Sequence, residues 1–321
     1  MIYFIARRCI EGIVVILVVT LIAFVMFRFL GDPVSQMLGM DATAADREFV
    51  RDQLGLNDPV LIQYMDFALR VLQGDFGISY QFKRPVIELI AESFPATFEL
   101  VIGSTIVALI VGTTMGIYTA LYRDSALTRL LLLLSVFGVA VPTFLISIAG
   151  IYIFSVNLGW LPSYGRGEVV SIGGWTTGLL TSSGRKALVL PTMTLAVFQL
   201  ALVMRLVRAE MSEILLSDHI RFARARGTRP FPLYFIYAFR NALIPVVTVV
   251  GMQIGSLMGF SVVTELIFQW PGVGLLFLQS IQSIDVPVLS AYMLVVCIMI
   301  VAVNFLTDTL YAVIDPRIVN Q

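Results

Sequence analysis

The sequence predicts an all-α membrane protein with six transmembrane helices, on three observations. Hydrophobic residues make up 58% of the 321 and charged residues 13%, against about 45–50% and about 25% in soluble domains. Mean hydropathy is +0.92. The apolar residues gather into six runs of a length, about 20 residues, that crosses the roughly 30 Å hydrocarbon core. These runs are residues 10–27, 97–121, 130–154, 187–204, 242–264 and 288–306. Backbone in lipid must satisfy its own hydrogen bonds, so each run is expected as a helix. The alternation over ten-residue strands that marks a membrane barrel is absent.

Taken in order, the first run follows Arg7 and Arg8, is too long for a secretory leader and lacks a small-residue cleavage site, so residues 1–30 read as a retained anchor. Residues 31–96 carry five basic and ten acidic side chains, a net of −5. Arginine placement orients the chain with this segment outside and both termini cytoplasmic. Within it, Val60–Leu72 shows apolar residues at helical spacing and is expected to lie against the bundle or the membrane interface. The core, 97–321, holds the other five runs. Pro142, Pro191 and Pro245 fall within or near the starts of spans, where neighbouring helices must cover the freed carbonyls. Between the fourth and fifth spans lies a long connection, 205–240, with seven arginines against Glu210, Glu213 and Asp218, a net of +4.

The chain offers little chemistry of its own. Cys9 and Cys297 sit inside apolar runs, which argues against a disulfide framework or thiolate metal site. His219 is the only histidine. No cofactor, metal or nucleic-acid partner is expected, and the protein reads as non-enzymatic. A secondary transporter places ionisable groups at membrane depth, yet Glu11, Glu99 and Asp308 all lie near the predicted span ends. The glycine-rich run from Gly178 to Ala187 lacks the Gly-Lys-Ser/Thr cradle that holds nucleotide phosphates. If the protein moves a solute uphill, the energy has to come from a partner.

The place for that partner is the stretch from Ser217 to Gly227. Ser217 suits the N-cap of a short helix, Asp218 suits its positive dipole end, and Gly227 can take the left-handed conformation that ends it. A helix over 218–226 is too short to stand alone in water and must pack on something. Ile220, Phe222 and Ala223 offer apolar contacts, with Ala225 as a small spacer. Arg221, Arg224 and Arg226 offer forked contacts to carboxylates. Two plainer readings compete: arginines that only fix topology, or that bind anionic lipid.

This stretch resembles the cytoplasmic coupling loop of ABC importer permeases, in which a Glu-Ala-Ala triplet precedes a glycine. With Gly227 on that glycine, Arg221, Phe222 and Ala223 occupy the triplet, and only Ala223 and Gly227 match. Where the general pattern has a proline further on, this chain has Arg240. The run Ala223-Arg-Ala-Arg-Gly227 followed by Arg240-Asn-Ala-Leu-Ile-Pro245 is similar to the dipeptide, oligopeptide and nickel permeases. So are Gly74-Asp-Phe-Gly-Ile-Ser79, Pro85-Val86, Pro95-Ala-Thr-Phe-Glu-Leu100, the stretch from Glu265 to Gly274, and Asp315-Pro-Arg317. The resemblance implies a six-span inner-membrane permease that forms half of a translocation pathway. It implies a second homologous permease, two cytoplasmic ATPases and an extracytoplasmic binding protein as partners, besides membrane lipid. Di- or oligopeptides are the expected solute, with nickel, glutathione or opine-like compounds as alternatives. A secondary transporter or channel without ATPases, and a scaffold that recruits lipids or regulators, are the rivals from other classes.

Four further residues are weighed as a gate. Gln253 lies in a span beside a row of glycines, Gly251, Gly255 and Gly259, that also suits close helix packing. Trp270, Pro271 and Gly272 form either an outer gate or a tight turn with the tryptophan at head-group level. The loop from Gly74 to Ser79 reads either as a contact for the binding protein or as an ordinary loop.

Overall fold

The computed structural model describes residues 2–29, 34, 43–53 and 56–314. The Asp315-Pro-Arg317 motif and the acids Asp32 and Asp41 lie outside the described residues.

The chain is helical almost throughout: α1 (Ile2–Phe29), α2 (Ala44–Gln53), α3 (Val60–Leu72), α4 (Val86–Leu121), α5 (Ala126–Ala140), α6 (Thr143–Gly150), α7 (Ser182–Ile214), α8 (Asp218–Ala225), α9 (Arg240–Ile267), α10 (Val273–Gln282) and α11 (Val286–Ile314). Wider π-helical turns extend α6 over Ile151–Asn157 and lead into α9 over Leu233–Phe239. Among the described residues five helices are long and apolar enough to cross a membrane: the Ala6–Phe29 part of α1, all of α4 and α7, Pro245–Ile267 of α9 and Val286–Thr309 of α11.

The remaining run departs from expectation. The third span, expected over 130–154 with Pro142 inside it, is two helices, α5 and α6 with its π-helical extension, bent by 110°. The cause is local. Val141, just ahead of Pro142, is extended at φ −84° and ψ 125°, because a proline ring disfavours the helical conformation of the residue before it. Hydropathy continues unbroken across the bend and so conceals it. Pro95, Pro191 and Pro245, by contrast, lie inside continuous helices. The span helices also outrun their apolar stretches. The 36 residues of α4 start at Val86, inside the segment read as extramembranous. At about 1.5 Å per residue they reach roughly 54 Å, well beyond the hydrocarbon core.

The core of the bundle is α4, α7, α9 and α11, with α1 packed along α11. On α4, a Cβ at Gly116 would lie 2.6 Å from the Val207 side chain and 2.8 Å from the Met204 carbonyl of α7, so these backbones meet at a distance only glycine allows. The glycine row on α9 packs as helix contact for two of its three members: Gly251 faces Thr307 and Gly255 faces Ile300 of α11, while Gly259 faces open space. Gln253 is half-buried beside them.

Between α6 and α7 a hairpin pairs Val170–Ile172 (β1) with Trp175–Thr177 (β2). Its turn is Gly173-Gly174, both at positive φ, as the tight two-residue hairpin requires. Trp175 stands edge-on to Phe94 and Phe98 of α4 and holds the hairpin against the bundle.

Candidate functional site

The expected helix forms as α8, and its C-terminus is built as the sequence suggests. Gly227 takes φ +76°. Its N–H donates to the Arg224 carbonyl at 3.0 Å and the Thr228 N–H to the Ala223 carbonyl at 3.2 Å. This paired closure satisfies carbonyls that a helix end otherwise leaves open. The N-terminus differs from expectation. Ser217 occupies the N-cap, but its hydroxyl makes no capping bond. It donates back to the Ile214 carbonyl at the end of α7 and lies 2.9 Å from His219 Nδ1. The hydroxyl adds a second bond to the Ile214 carbonyl, which also accepts the Ser217 N–H, and does not serve the amides of its own helix.

The two sides of α8 do different things. Ile220 is fully buried and Ala223 nearly so. They join one apolar cluster with Ile117 and Ala120 from the end of α4, Val207 and Met211 from α7, and Ala242 and Val246 from α9. α8 thus packs chiefly on the π-helical turn Leu233–Phe239, whose Leu233 and Ala238 belong to the same cluster as the ends of the three spans. Phe222 points the other way and is 65% exposed. Arg221, Arg224 and Arg226 are exposed around it. The Arg226 guanidinium lies 5.7 Å from the centre of the Phe222 ring, and Arg221 is 3.7 Å from the almost fully exposed Asp218. The outer face is therefore an aromatic knob ringed by cations. Such a face fits an apolar pocket rimmed by carboxylates.

The residues weighed as a gate are not gathered with α8. Trp270, Pro271 and Gly272 lie past the end of α9, where the Gly272 N–H donates to the Trp270 carbonyl at 2.7 Å in the expected tight turn. The tryptophan is not at an exposed interface: it is 1% exposed and its Nε1–H donates to the Ala96 carbonyl at 2.9 Å.

Around Trp270 the structure shows a polar assembly that sequence reading missed. Glu99 and Arg166 form a buried ion pair at 2.8 Å. The Arg166 guanidinium also donates to the carbonyl and hydroxyl oxygens of Thr176 on β2, and it stands 6.0 Å from the Trp270 ring. Glu265 is wholly buried on α9. Its carboxylate accepts from Thr97 Oγ1 at 2.7 Å, Ser261 Oγ at 3.1 Å and the Leu275 N–H at the start of α10 at 2.9 Å. Glu99, expected near a span end, lies well inside the longer α4, whereas Glu265 stands in the last turn of α9. The other two acids named for span ends do lie there. Glu11 pairs with Arg7 and Arg8, and Arg8 reaches Asp308 at 3.0 Å, tying the start of α1 to the end of α11.

A third anchor is Asp285, whose carboxylate accepts from the Ser79 hydroxyl and from the Tyr80 and Gln81 N–H groups at 3.1 Å each. Ser79 is fully buried. The end of the loop from Gly74 to Ser79 is thus a fixed joint between α11 and the approach to α4. Glu99–Arg166 and Ser79–Asp285 are separated by 67 and 206 positions. No local pattern announces such pairs.

Among the described residues these features define a multi-pass helical membrane protein with a short, partly buried helix at one end of its bundle. The comparisons give the class its family. Residues 112–320 match the model of the binding-protein-dependent transport system inner membrane component, and residues 1–101 match the model of its N-terminal region. The chain belongs to this family, and is an inner-membrane permease subunit of an ABC importer. It is 38% identical over 98% of both chains to the glutathione transport system permease protein GsiC of Pectobacterium atrosepticum. To the oligopeptide transport system permease protein AppB of Bacillus subtilis it is 37% identical, again over 98% of both. A putative peptide permease protein of Brucella suis is 36% identical over 97% of both chains. In fold, the chain superimposes on a chain of the inward-facing MetNI methionine ABC transporter with a TM-score of 0.57 at 17% identity, covering 71% of this chain and 96% of that one.

Proposed function

We propose that this subunit carries small peptides across the inner membrane as one half of a pathway completed by a second, homologous permease. An extracytoplasmic binding protein delivers the peptide. Two cytoplasmic ATPases drive the cycle, one of them seated on α8, which places both termini of this chain on the cytoplasmic side. This chain breaks no bonds, and ATP hydrolysis belongs to the ATPases. The peptide class follows from the relatives, whose names specify peptides, oligopeptides and glutathione, itself a tripeptide.

One observation carries the coupling role. The inner side of α8 is buried in a cluster shared by the Leu233–Phe239 turn and the ends of α4, α7 and α9, while Phe222 and its arginines are exposed. Closely packed interiors move as bodies and do not deform smoothly. A push on Phe222 is therefore passed through the Leu233–Phe239 turn and this shared cluster to the spans that meet there. The spans then tilt, and access switches from one face to the other. Gln253, and the turn from Trp270 to Gly272, remain the residues proposed to border the pathway and its outer gate.

The test deletes Ser217 to Gly227 from a tagged subunit and measures co-purification of the ATPases and uptake of labelled peptide in cells. An inserted, stable subunit that neither retains the ATPases nor supports uptake fits the proposal. Unchanged retention and uptake would overturn it. Identifying the ligand bound to the purified cognate binding protein tests the peptide assignment separately.

A further inference from the structure

We propose that α3 is an interfacial helix, embedded lengthwise in the bilayer surface beside the C-terminal end of α1. The chain thus grips the membrane with a helix that does not cross it.

The helix α3 has three faces. One packs on α1: Phe67 lies 5.9 Å from Phe24 and 6.0 Å from Phe27 between ring centres, and Tyr64 meets Phe24 at 5.6 Å. Arg28 donates to the buried Gln63 at 3.0 Å and fixes the same contact. A second face is polar and narrow, made of Asp66 and Arg70. The third is apolar and uncovered. Leu61, Met65, Leu69 and Leu72 are 69, 56, 53 and 80% exposed. With successive residues about 100° apart, these four and Ile62 occupy a continuous arc of roughly 100°. A soluble helix hides such an arc against a core. Here the arc is complete, and the core contact is already made on a different side.

Position selects the occupant. Phe24 and Phe27 stand in the last two turns of a span that runs Ala6–Phe29. Its 24 residues reach about 36 Å, slightly more than the hydrocarbon core, so its last turns lie at the boundary with the head groups. A helix docked there sits at the depth where interfacial helices bury their apolar side, roughly 5–10 Å into the head-group and acyl boundary. On the same apolar span, Leu21, Ile22 and Val25 are also exposed, at 48, 44 and 44%. A lipid surface covers both at once, with Asp66 and Arg70 left to water.

The test uses the full transporter in proteoliposomes. Cys9→Ser and Cys297→Ser provide a background for single cysteines made as Leu61→Cys, Met65→Cys, Leu69→Cys and Asp66→Cys, each carrying a nitroxide. Power saturation then compares access to oxygen, which concentrates in lipid, with access to a water-soluble nickel chelate. Positions 61, 65 and 69 are expected to show a several-fold excess of oxygen access, and position 66 the reverse. Equal access of the chelate to all four would overturn the proposal. So would shielding of 61, 65 and 69 that arises only when an extracytoplasmic protein is added, since the face would then belong to a protein partner. A substitution-free measurement stands beside it: photoactivatable acyl-chain probes should label Val60–Leu72 in the unaltered chain. Absence of adducts there, with labelling of α1 intact, would overturn the proposal equally.

Discussion

Replacing Ile220 by alanine removes the apolar wedge that holds α8 in the bundle. Ile220 is fully buried in the cluster that the Leu233–Phe239 turn shares with the ends of α4, α7 and α9, and the change deletes three carbons from that cluster. At about 0.8 kcal/mol per buried methylene the transfer loss is about 2.4 kcal/mol. The cavity left behind places the total within the 2–5 kcal/mol seen for large-to-alanine changes in cores. An eight-residue helix has little stability of its own, so the loss falls on its docking. At a factor of ten per 1.4 kcal/mol, the undocked population rises about 50-fold or more. Amide hydrogen exchange of the purified subunit reads this directly as faster exchange over Asp218–Ala225. Peptide uptake by the assembled transporter should fall with it. The neighbour supplies the contrast. Phe222 is exposed, so Phe222→Ala should leave exchange and melting of the free subunit nearly unchanged, within about 0.5 kcal/mol, while weakening retention of the ATPase. Unchanged exchange in Ile220→Ala, or equal destabilisation by both substitutions, would refute the two-sided picture of α8.

Three further outcomes are expected. Gly227→Ala places a side chain at φ +76° with nothing within 4 Å of the added carbon, so the cost is purely conformational, about 1–2 kcal/mol, and should appear as faster exchange confined to the end of α8. Glu99→Gln leaves the buried Arg166 without its carboxylate, and breaking such a pair costs about 3–5 kcal/mol; thermal melting in detergent should drop clearly, and an unchanged melting curve would remove the pair from the account of stability. Trp270→Phe removes the indole bond to the Ala96 carbonyl, which keeps its partner within α4, at a cost of about 0.5–1.5 kcal/mol; lowered melting fits a structural anchor, whereas altered uptake at unchanged melting would favour a gate.

Comparison of sequence with structure shows which kinds of physics are local. Long apolar runs reveal spans because burial in lipid acts on every residue of a segment. The cap at Gly227 was legible because it depends on one glycine and the helix before it. The bend at Val141-Pro142 was not, since both its arms are equally apolar and a proline is also compatible with a continuous helix, as Pro95, Pro191 and Pro245 show here. The Glu99–Arg166 and Ser79–Asp285 anchors were hidden for a different reason. Each joins elements far apart in the chain, and only the packed bundle brings them into reach. For α8, residue types suggested an amphipathic helix, but the orientation of Phe222 away from Ile220 and Ala223 depended on where the ends of α4, α7 and α9 stand.

The central claim is that force enters this subunit through the outer face of α8. The most direct measurement is ATP-dependent uptake of labelled peptide into proteoliposomes holding the complete transporter, with Arg221, Phe222 and Arg224 all changed to alanine in this chain. ATP hydrolysis by the same vesicles is followed in parallel. The expected result is a normally folded subunit in which uptake is lost and the binding protein no longer stimulates hydrolysis. Uptake at the unaltered rate, with hydrolysis still stimulated, would contradict it.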